Sequence, residues 1–151
     1  MKTNPPNILL IITDHTNAEA IAPGSPCQKP NLDALASEGI RFHRCHTPNA
    51  ICSPARASLM TGLFPSTHGI WDCTHTQRRG WVDIEPGEFP FFSERLVEVG
   101  YRTGYFGKWH VESRGCLDRF GWQEYDLAVS HLKGRESADA PRVVLLSLIH
   151  I

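Results

Sequence analysis

The sequence lacks three features that would each have indicated a partner or a class of site. Fifteen basic and sixteen acidic residues give a net charge of -1, so no excess of positive charge indicates binding to nucleic acid or to an anionic membrane. The five cysteines are an odd number and form no Cys-x-x-Cys pair, which argues against a disulfide framework and a zinc ribbon. No run approaches the roughly 20 apolar residues that a membrane-spanning helix needs. We therefore expect no nucleic-acid partner and no membrane partner.

The first residues also lack the signature of an exported protein. Residues 1–6 carry one positive charge, and the apolar run Ile8–Ile12 is shorter than a signal-peptide core. No small-residue cleavage site follows this run. The expectation is a cytoplasmic protein.

The chain instead shows an alternation of strand and helix patterns. Asn7–Thr13 is a continuous β-branched-rich run, typical of a strand buried on both faces of a parallel sheet. Further strand patterns lie at residues 40–45 and 101–106, and helix patterns at residues 29–39, 53–62 and 91–99. This alternation predicts an α/β fold with a mainly parallel sheet.

Capping residues set the expected helix ends. Asn31 and Ser53 are predicted N-caps, and Gly39 and Gly62 lie just past the ends of the same two helices. Cys52 would then stand at the amino terminus of the second helix. The first helix would carry one apolar face, made of Leu32, Leu35 and Ala36.

Polar side chains follow two of the predicted strands. Asp14 comes directly after the first strand, and Lys108 and His110 follow the strand at residues 101–106. In open α/β sheets, ligands bind outside the carboxyl ends of the strands. Asp14 therefore lies where chemistry is expected.

The strongest motif begins at Cys52. Cys52-Ser53-Pro54-Ala55-Arg56, followed by Leu59-Met60-Thr61-Gly62, resembles the sulfatase signature. Segments 30–36, 101–110 and 121–125 resemble blocks of the same family in the same order, so that the resemblance covers roughly residues 7–126. It implies an alkaline-phosphatase-like α/β/α sandwich, incomplete in this chain, and hydrolysis of a sulfuric ester of a small molecule or a carbohydrate.

The resemblance also implies the roles of four catalytic residues. Cys52 would be converted to formylglycine by a separate formylglycine-generating enzyme. A hydrated aldehyde has two hydroxyl groups: one attacks sulfur, and deprotonation of the other expels sulfate, so water never attacks sulfur. Arg56 would hold this diol, Lys108 would contact the sulfate group, and His110 would donate a proton to the leaving oxygen.

A divalent metal is the implied cofactor, with Asp14, His15 and Cys52 as its candidate ligands. The family usually places two carboxylates after the first strand, whereas here His15 follows Asp14. Ca²⁺ is the ion that the resemblance implies; Mg²⁺ also prefers oxygen, and an imidazole ligand suits Mn²⁺ or Zn²⁺. Related enzymes without the second carboxylate include phosphonate monoester and phosphodiester hydrolases, which is the alternative activity.

The remaining cysteines and histidines supply an alternative of another class. Eight histidines and five cysteines are enough for a non-catalytic metal- or ligand-binding remnant, although only scattered pairs such as Cys45-His46 occur in place of the regular paired spacing of structural zinc sites. His68 lies in a family-like stretch but has no derived role. We expect structural thiols at Cys27, Cys45, Cys73 and Cys116, and surface or core histidines at His43, His46, His75, His131 and His150.

The end of the sequence differs in character from the rest. Residues 1–142 are predicted to be the amino-terminal part of a sulfatase catalytic domain. Residues 143–151 are almost entirely apolar, follow a polar stretch and resemble translated adapter sequence. The expectation is a truncated gene with an artefactual tail, which reading the source DNA across this junction would test.

Overall fold

A computed structural model of the chain describes residues 5–74 and 83–127, and the backbone of residues 142–148. The strands in these ranges are β1 (Ile8–Thr13), β2 (Arg102–Gly107), β3 (Glu124–Leu127) and β4 (Arg142–Leu148). The helices are α1 (Pro30–Glu38), α2 (Cys52–Thr61), α3 (Pro65–His68) and α4 (Phe92–Glu98), with a 3-10 turn at Leu117–Phe120. No helix in these ranges is long and apolar enough to cross a membrane.

The strands form one parallel sheet in the order β1-β4-β2-β3. Thr13 at the end of β1 is opposite Leu148, and Gly107 at the end of β2 is opposite Ser147. The carboxyl ends of β1 and β2 therefore lie at the same edge, separated by β4. The prediction of a mainly parallel sheet is confirmed.

The hydrophobic core contains a cluster of aromatic rings around β2. Tyr105 of β2 packs edge-on against Trp109 and Trp122, with ring centroids 5.2 and 5.3 Å apart. Trp109 also packs against Phe91 and Phe120. Each such pair adds roughly 0.5–1.5 kcal/mol beyond the burial of its area. These contacts fix the segment after β2 that carries Lys108 and His110.

Three sequence-based expectations about the elements are wrong. Residues 40–45 form no strand. Asn31 and Ser53 lie inside α1 and α2, because the N-caps are Lys29 and Ile51, two residues earlier in each case. No side chain makes a capping bond at either helix start. The predicted ends are confirmed, since Gly39 and Gly62 are the residues that follow α1 and α2.

The apolar face of α1 is not buried in the described part of the chain. Leu32 and Leu35 are 51% and 67% exposed, and Ile40 and Phe42 beyond the helix are 83% and 78% exposed. The predicted face exists as a pattern, but Ala36 is half-buried and no residue of α1 is fully buried. The fully buried core residues in the described ranges therefore come from the part of the chain after α1, and Leu10 and Ile12 of β1 pack against them.

Gly121 follows the 3-10 turn and lies against the backbone of α4, which gives a stability prediction. Its φ is +80°, and a Cβ at this position would lie 2.5 Å from the backbone nitrogen of Glu94. Gly121→Ala is expected to lower the free energy of unfolding by about 1–3 kcal/mol more than Gly87→Ala, because overpacking adds to the cost of the positive φ.

Gly87 is the matched control, since its φ is +84° and a Cβ there would meet nothing within 4 Å. Urea unfolding followed by tryptophan fluorescence measures both variants. Equal losses of stability in the two would show that the close approach to α4 has no energetic effect.

Candidate active site at the carboxyl edge of the sheet

Asp14 and Lys108 meet across the central strand β4. Lys108 Nζ donates a hydrogen bond to Asp14 Oδ2 at 2.6 Å, although the two residues are 94 positions apart. The contact lowers the pKa of the Asp14 carboxyl below its ordinary value, and the nearby Arg56 guanidinium acts in the same direction. Asp14 is thus held as a carboxylate at the edge where ligands bind.

The backbone bends sharply beside both of these residues. His15 has φ of 50° and His110 has φ of 56°, and they are the non-glycine residues with positive φ in the described ranges. Such a conformation is uncommon for residues with a Cβ and clusters at functional sites. Each bend follows the end of a strand, so the chain turns at the sheet edge in both places.

Cys52 is the first residue of α2 and lines a cavity of about 910 Å³. The free N–H groups and the positive dipole end of a helix amino terminus favour an anion. The wall of the cavity also includes three other predicted site residues, Asp14, His15 and Arg56. Residues from the end of β1 and from α2 therefore face one space.

Arg56 connects α2 to the segment after β2. Its side chain is nearly inaccessible, at 5% exposure, and its Nη1 donates to the Lys108 carbonyl at 2.7 Å and to the Tyr105 hydroxyl at 3.3 Å. The Tyr105 hydroxyl also donates to the Lys108 carbonyl. The guanidinium thus holds the backbone that carries Lys108, a positioning contact that the sequence motif did not indicate.

Cys73 is a site neighbour that the sequence analysis missed. Its Sγ lies 3.2 Å from Cys52 Sγ, and burial, followed by the contact with Cys52, raises the pKa of the Cys73 thiol. Ligand atoms of Cys52, Cys73 and His110 all lie within 4.8 Å of one another. The spacing of 21 residues between the two cysteines matches no motif, so no sequence signal marked the pair.

Ser53 explains why Cys73 lies so close to α2. Its Oγ accepts a hydrogen bond from the backbone N–H of Thr74 at 3.0 Å, and both side chains are buried. Ser53 was predicted to cap the helix, but its side chain instead binds the segment at Thr74 to the start of α2.

His68 has a structural role between α2 and α3. It is 1% exposed; its Nδ1 accepts from the Ile70 backbone N–H at 3.2 Å, so Nε2 carries the proton and donates to Ser58 Oγ at 2.9 Å. Burial lowers the pKa of His68 below its ordinary value of 6.5. The neutral tautomer is therefore the form that the fold requires.

This burial predicts a pH dependence of stability. As the pH falls from 6.5 towards the folded-state pKa, the unfolded chain binds the proton first, so the free energy of unfolding decreases. Above 6.5 the contribution of His68 is fully present. His68→Gln should flatten this part of the pH profile, measured by urea unfolding at a series of pH values.

The exposed His43 provides the control, because His43→Gln should leave the slope unchanged. A wild-type slope retained in His68→Gln would contradict the assignment.

The other cysteines and histidines lie in varied surroundings. Cys27 and Cys45 are exposed and Cys116 is half-buried, and Cys45 and His46 line the cavity. His75, His131 and His150 fall outside the described residues.

Comparison with known proteins identifies the family. Residues 6–142 match the sequence profile described as Sulfatase. The uncharacterized sulfatase YidJ of Escherichia coli (strain K12) is 35% identical over 122 residues, 79% of this chain and 22% of that protein. N-acetylglucosamine-6-O-sulfatase of Bacteroides thetaiotaomicron is 36% identical over 114 residues, 74% of this chain and 19% of that protein.

Among solved structures, yidJ from Bacteroides fragilis superposes with a TM-score of 0.79 at 22% identity, covering 98% of this chain and 44% of that chain. This likeness confirms the predicted alkaline-phosphatase-like α/β fold. The chain spans about a fifth of the length of the two relatives named above. By its match over residues 6–142, this chain belongs to the sulfatase family.

Proposed function

We propose that the protein to which this chain belongs hydrolyses organic sulfate esters, with Cys52 as the precursor of the nucleophile. One observation carries the proposal: Asp14, His15, Cys52 and Arg56 line one cavity, Lys108 is hydrogen-bonded to Asp14, and a ring nitrogen of His110 lies within 4.8 Å of Cys52 Sγ. Segments far apart in the chain are thus brought together around the residue at the start of α2.

Conversion of Cys52 to formylglycine would supply a hydrated aldehyde, whose two hydroxyl groups take up the sulfuryl group and then release sulfate. The residues of this chain support that chemistry from three sides. The amino terminus of α2 favours the anionic ester, and the Lys108 ammonium would offset charge on its oxygens. His110 lies close enough to Cys52 to donate a proton to the departing alcohol.

Arg56 contributes by position. Its bond to the Lys108 carbonyl holds the ammonium and the imidazole at fixed places relative to α2, since Cys52 and Arg56 are on the same helix. A guanidinium buried among hydrogen-bond acceptors is also a fixed positive charge next to the nucleophile position. Both effects favour an anionic substrate and an anionic transition state.

A divalent metal fits this site in part. Asp14 offers a carboxylate, His15 an imidazole and residue 52 an oxygen after conversion, and Asp14 is the one carboxylate among the described residues that line the cavity. Ca²⁺ or Mg²⁺ needs six or more oxygen ligands, so the longer protein would have to supply the others. The ion pair between the Lys108 ammonium and the Asp14 carboxylate supports a preference for positive charge at this position.

The proposed substrate is a sulfated small molecule or carbohydrate. A cavity of about 910 Å³ is of the size that accepts a sugar-sized ligand. The relative from Bacteroides thetaiotaomicron is named as a sulfatase of N-acetylglucosamine, which supports a carbohydrate ester.

His15 supports the second candidate, hydrolysis of a phosphonate monoester or phosphodiester. It takes the place after Asp14 where the family usually has a carboxylate, and it lines the cavity. An imidazole there would leave a metal more positive than a carboxylate would, which suits a substrate with more negative charge. A panel of aryl sulfates, phosphonates and phosphodiesters separates the two activities.

The test of the nucleophile is a mass measurement on the full-length protein, co-expressed with a formylglycine-generating enzyme. Trypsin releases residues 45–56, which contain Cys45 and Cys52. Conversion removes one sulfur and two hydrogens and adds one oxygen, and fragment ions should place this change at residue 52. An unchanged Cys52, under conditions that convert a sulfatase used as a positive control, would refute the proposal.

A further inference from the structure

We propose that, before Cys52 is converted, the side chains of Cys52, Cys73 and His110 form a binding site for a soft divalent cation, with Zn²⁺ as the fitting ion. Their ligand atoms lie within 4.8 Å of one another, and all three residues are half-buried. The site shares residue 52 with the site proposed for the hard cation, but its other two ligands are Cys73 and His110 instead of Asp14 and His15.

The spacing of the three ligand atoms suits zinc. With Zn–S of about 2.3 Å and Zn–N of about 2.0–2.1 Å, tetrahedral angles place ligand atoms roughly 3.5–3.8 Å apart. The two sulfur atoms are 3.2 Å apart, and no pair in the group exceeds 4.8 Å. Side-chain movements of less than about 1 Å would therefore bring all three to coordination distance.

The chemistry of the donors also favours a soft ion. Two thiolates and an imidazole suit Zn²⁺, whereas Ca²⁺ and Mg²⁺ prefer oxygen. Binding would displace one proton from each thiol, so that two Zn–S bonds form and two protons pass to the solvent. Three protein ligands leave a fourth position for water or an anion.

The fold holds each ligand in place independently. Cys52 is fixed by α2, and Cys73 is fixed through Thr74, whose N–H is bonded to Ser53. His110 follows Lys108, whose carbonyl is bound by Arg56. A site whose ligands are already positioned loses less conformational entropy on binding than one formed by mobile side chains.

This site would exist only before conversion, because conversion of Cys52 removes one of the two sulfur ligands. A bound Zn²⁺ would in turn protect the Cys52 thiol from conversion. This last consequence rests on the proposed function, whereas cation binding by the thiol form does not.

Spectroscopy of the unconverted chain tests the site. The chain is made in cells without a formylglycine-generating enzyme, kept reduced with a phosphine, and titrated with Co²⁺ and then Zn²⁺. We expect one equivalent of Co²⁺ to give thiolate charge-transfer bands that Zn²⁺ abolishes. Cys73→Ser and His110→Ala should each weaken binding by more than the roughly 10–100-fold that loss of an outer-shell partner costs.

Cys116→Ser and Cys27→Ser are the matched controls, because these cysteines lie outside the group and should leave the affinity unchanged. Equal affinity in Cys73→Ser and the wild type, or Co²⁺ spectra without thiolate bands, would overturn the proposal.

Alkylation of the wild-type chain gives a second readout that requires no variant. Zn²⁺ should protect Cys52 and Cys73 from a thiol-specific reagent, while the exposed Cys27 and Cys45 react with and without the ion. Protection of Cys45 in place of Cys73, or no protection at all, would refute the site. Failure of formylglycine conversion would leave both measurements intact, so the two proposals are tested separately.

Discussion

Replacing Cys52 by alanine is expected to reduce kcat/KM of the full-length protein for sulfate esters by roughly 10⁴-fold or more. The reason is that the proposed nucleophile exists through conversion of this side chain, and alanine has no atom to convert. Cys52 is the first residue of α2, so alanine keeps the helix and the fold is expected to persist. The measurement is hydrolysis of an aryl sulfate by both proteins after co-expression with a formylglycine-generating enzyme.

Cys27→Ala and Cys73→Ala are the controls for this variant. Cys27 is exposed and lies outside the cysteine and histidine group, so its loss should leave the rate unchanged. Cys73 contacts Cys52 but has no role in the proposed hydrolysis, so its loss should have far less effect than loss of Cys52. A Cys52→Ala protein with more than about a tenth of wild-type activity would exclude the mechanism.

Lys108→Met is expected to reduce kcat by about 10²–10³-fold, because it removes the positive charge that we propose offsets charge on the sulfate oxygens, while keeping the aliphatic stem. The change also removes the hydrogen bond from Lys108, which is the largest cause of the lowered pKa of Asp14. The Asp14 pKa should therefore rise in the variant, and the acid limb of the pH–rate profile should move to higher pH.

Lys29→Met is the matched control. Lys29 also makes an ion pair with an aspartate, Asp33, at 2.8 Å. Lys29 is the N-cap of α1 and Asp33 lies in the first turn of this helix, and neither residue lines the cavity. Lys29→Met should leave both kcat and the pH–rate profile unchanged. An equal loss of activity in the two variants would indicate a general effect of charge and would contradict the proposed role of Lys108.

The sequence predicted much of the site because its signals are local. The run Asn7–Thr13 and the Asp14 that follows it defined a strand and the residue at its end, and Gly62 defined the end of α2. The same local reasoning failed at Ser53, since its Oγ binds the N–H of Thr74 instead of capping the helix. It also failed at residues 40–45, which have a pattern typical of a strand but form no strand in the structure.

The positions that sequence reasoning missed all depend on contacts between distant segments. Cys73 was expected to be a structural thiol, but it lies 3.2 Å from Cys52 across 21 residues. His68 had no derived role, yet it is buried and bonded to Ser58 of α2. A sequence pattern indicates periodicity and capping, which act over a few residues. Neither constrains which segments of the chain come into contact.

By itself, therefore, the sequence determined the alternation of strands and helices, the placement of Cys52 at a helix start and the family resemblance. These follow from steric and hydrogen-bonding preferences over a few residues, and from motifs read in order. The tertiary structure alone decided that β4 separates β1 from β2, that Asp14 and Lys108 meet across it, and that Arg56 binds the Lys108 carbonyl. The physical reason is that packing of the sheet and the aromatic core sets the relative positions of segments that local preferences leave independent.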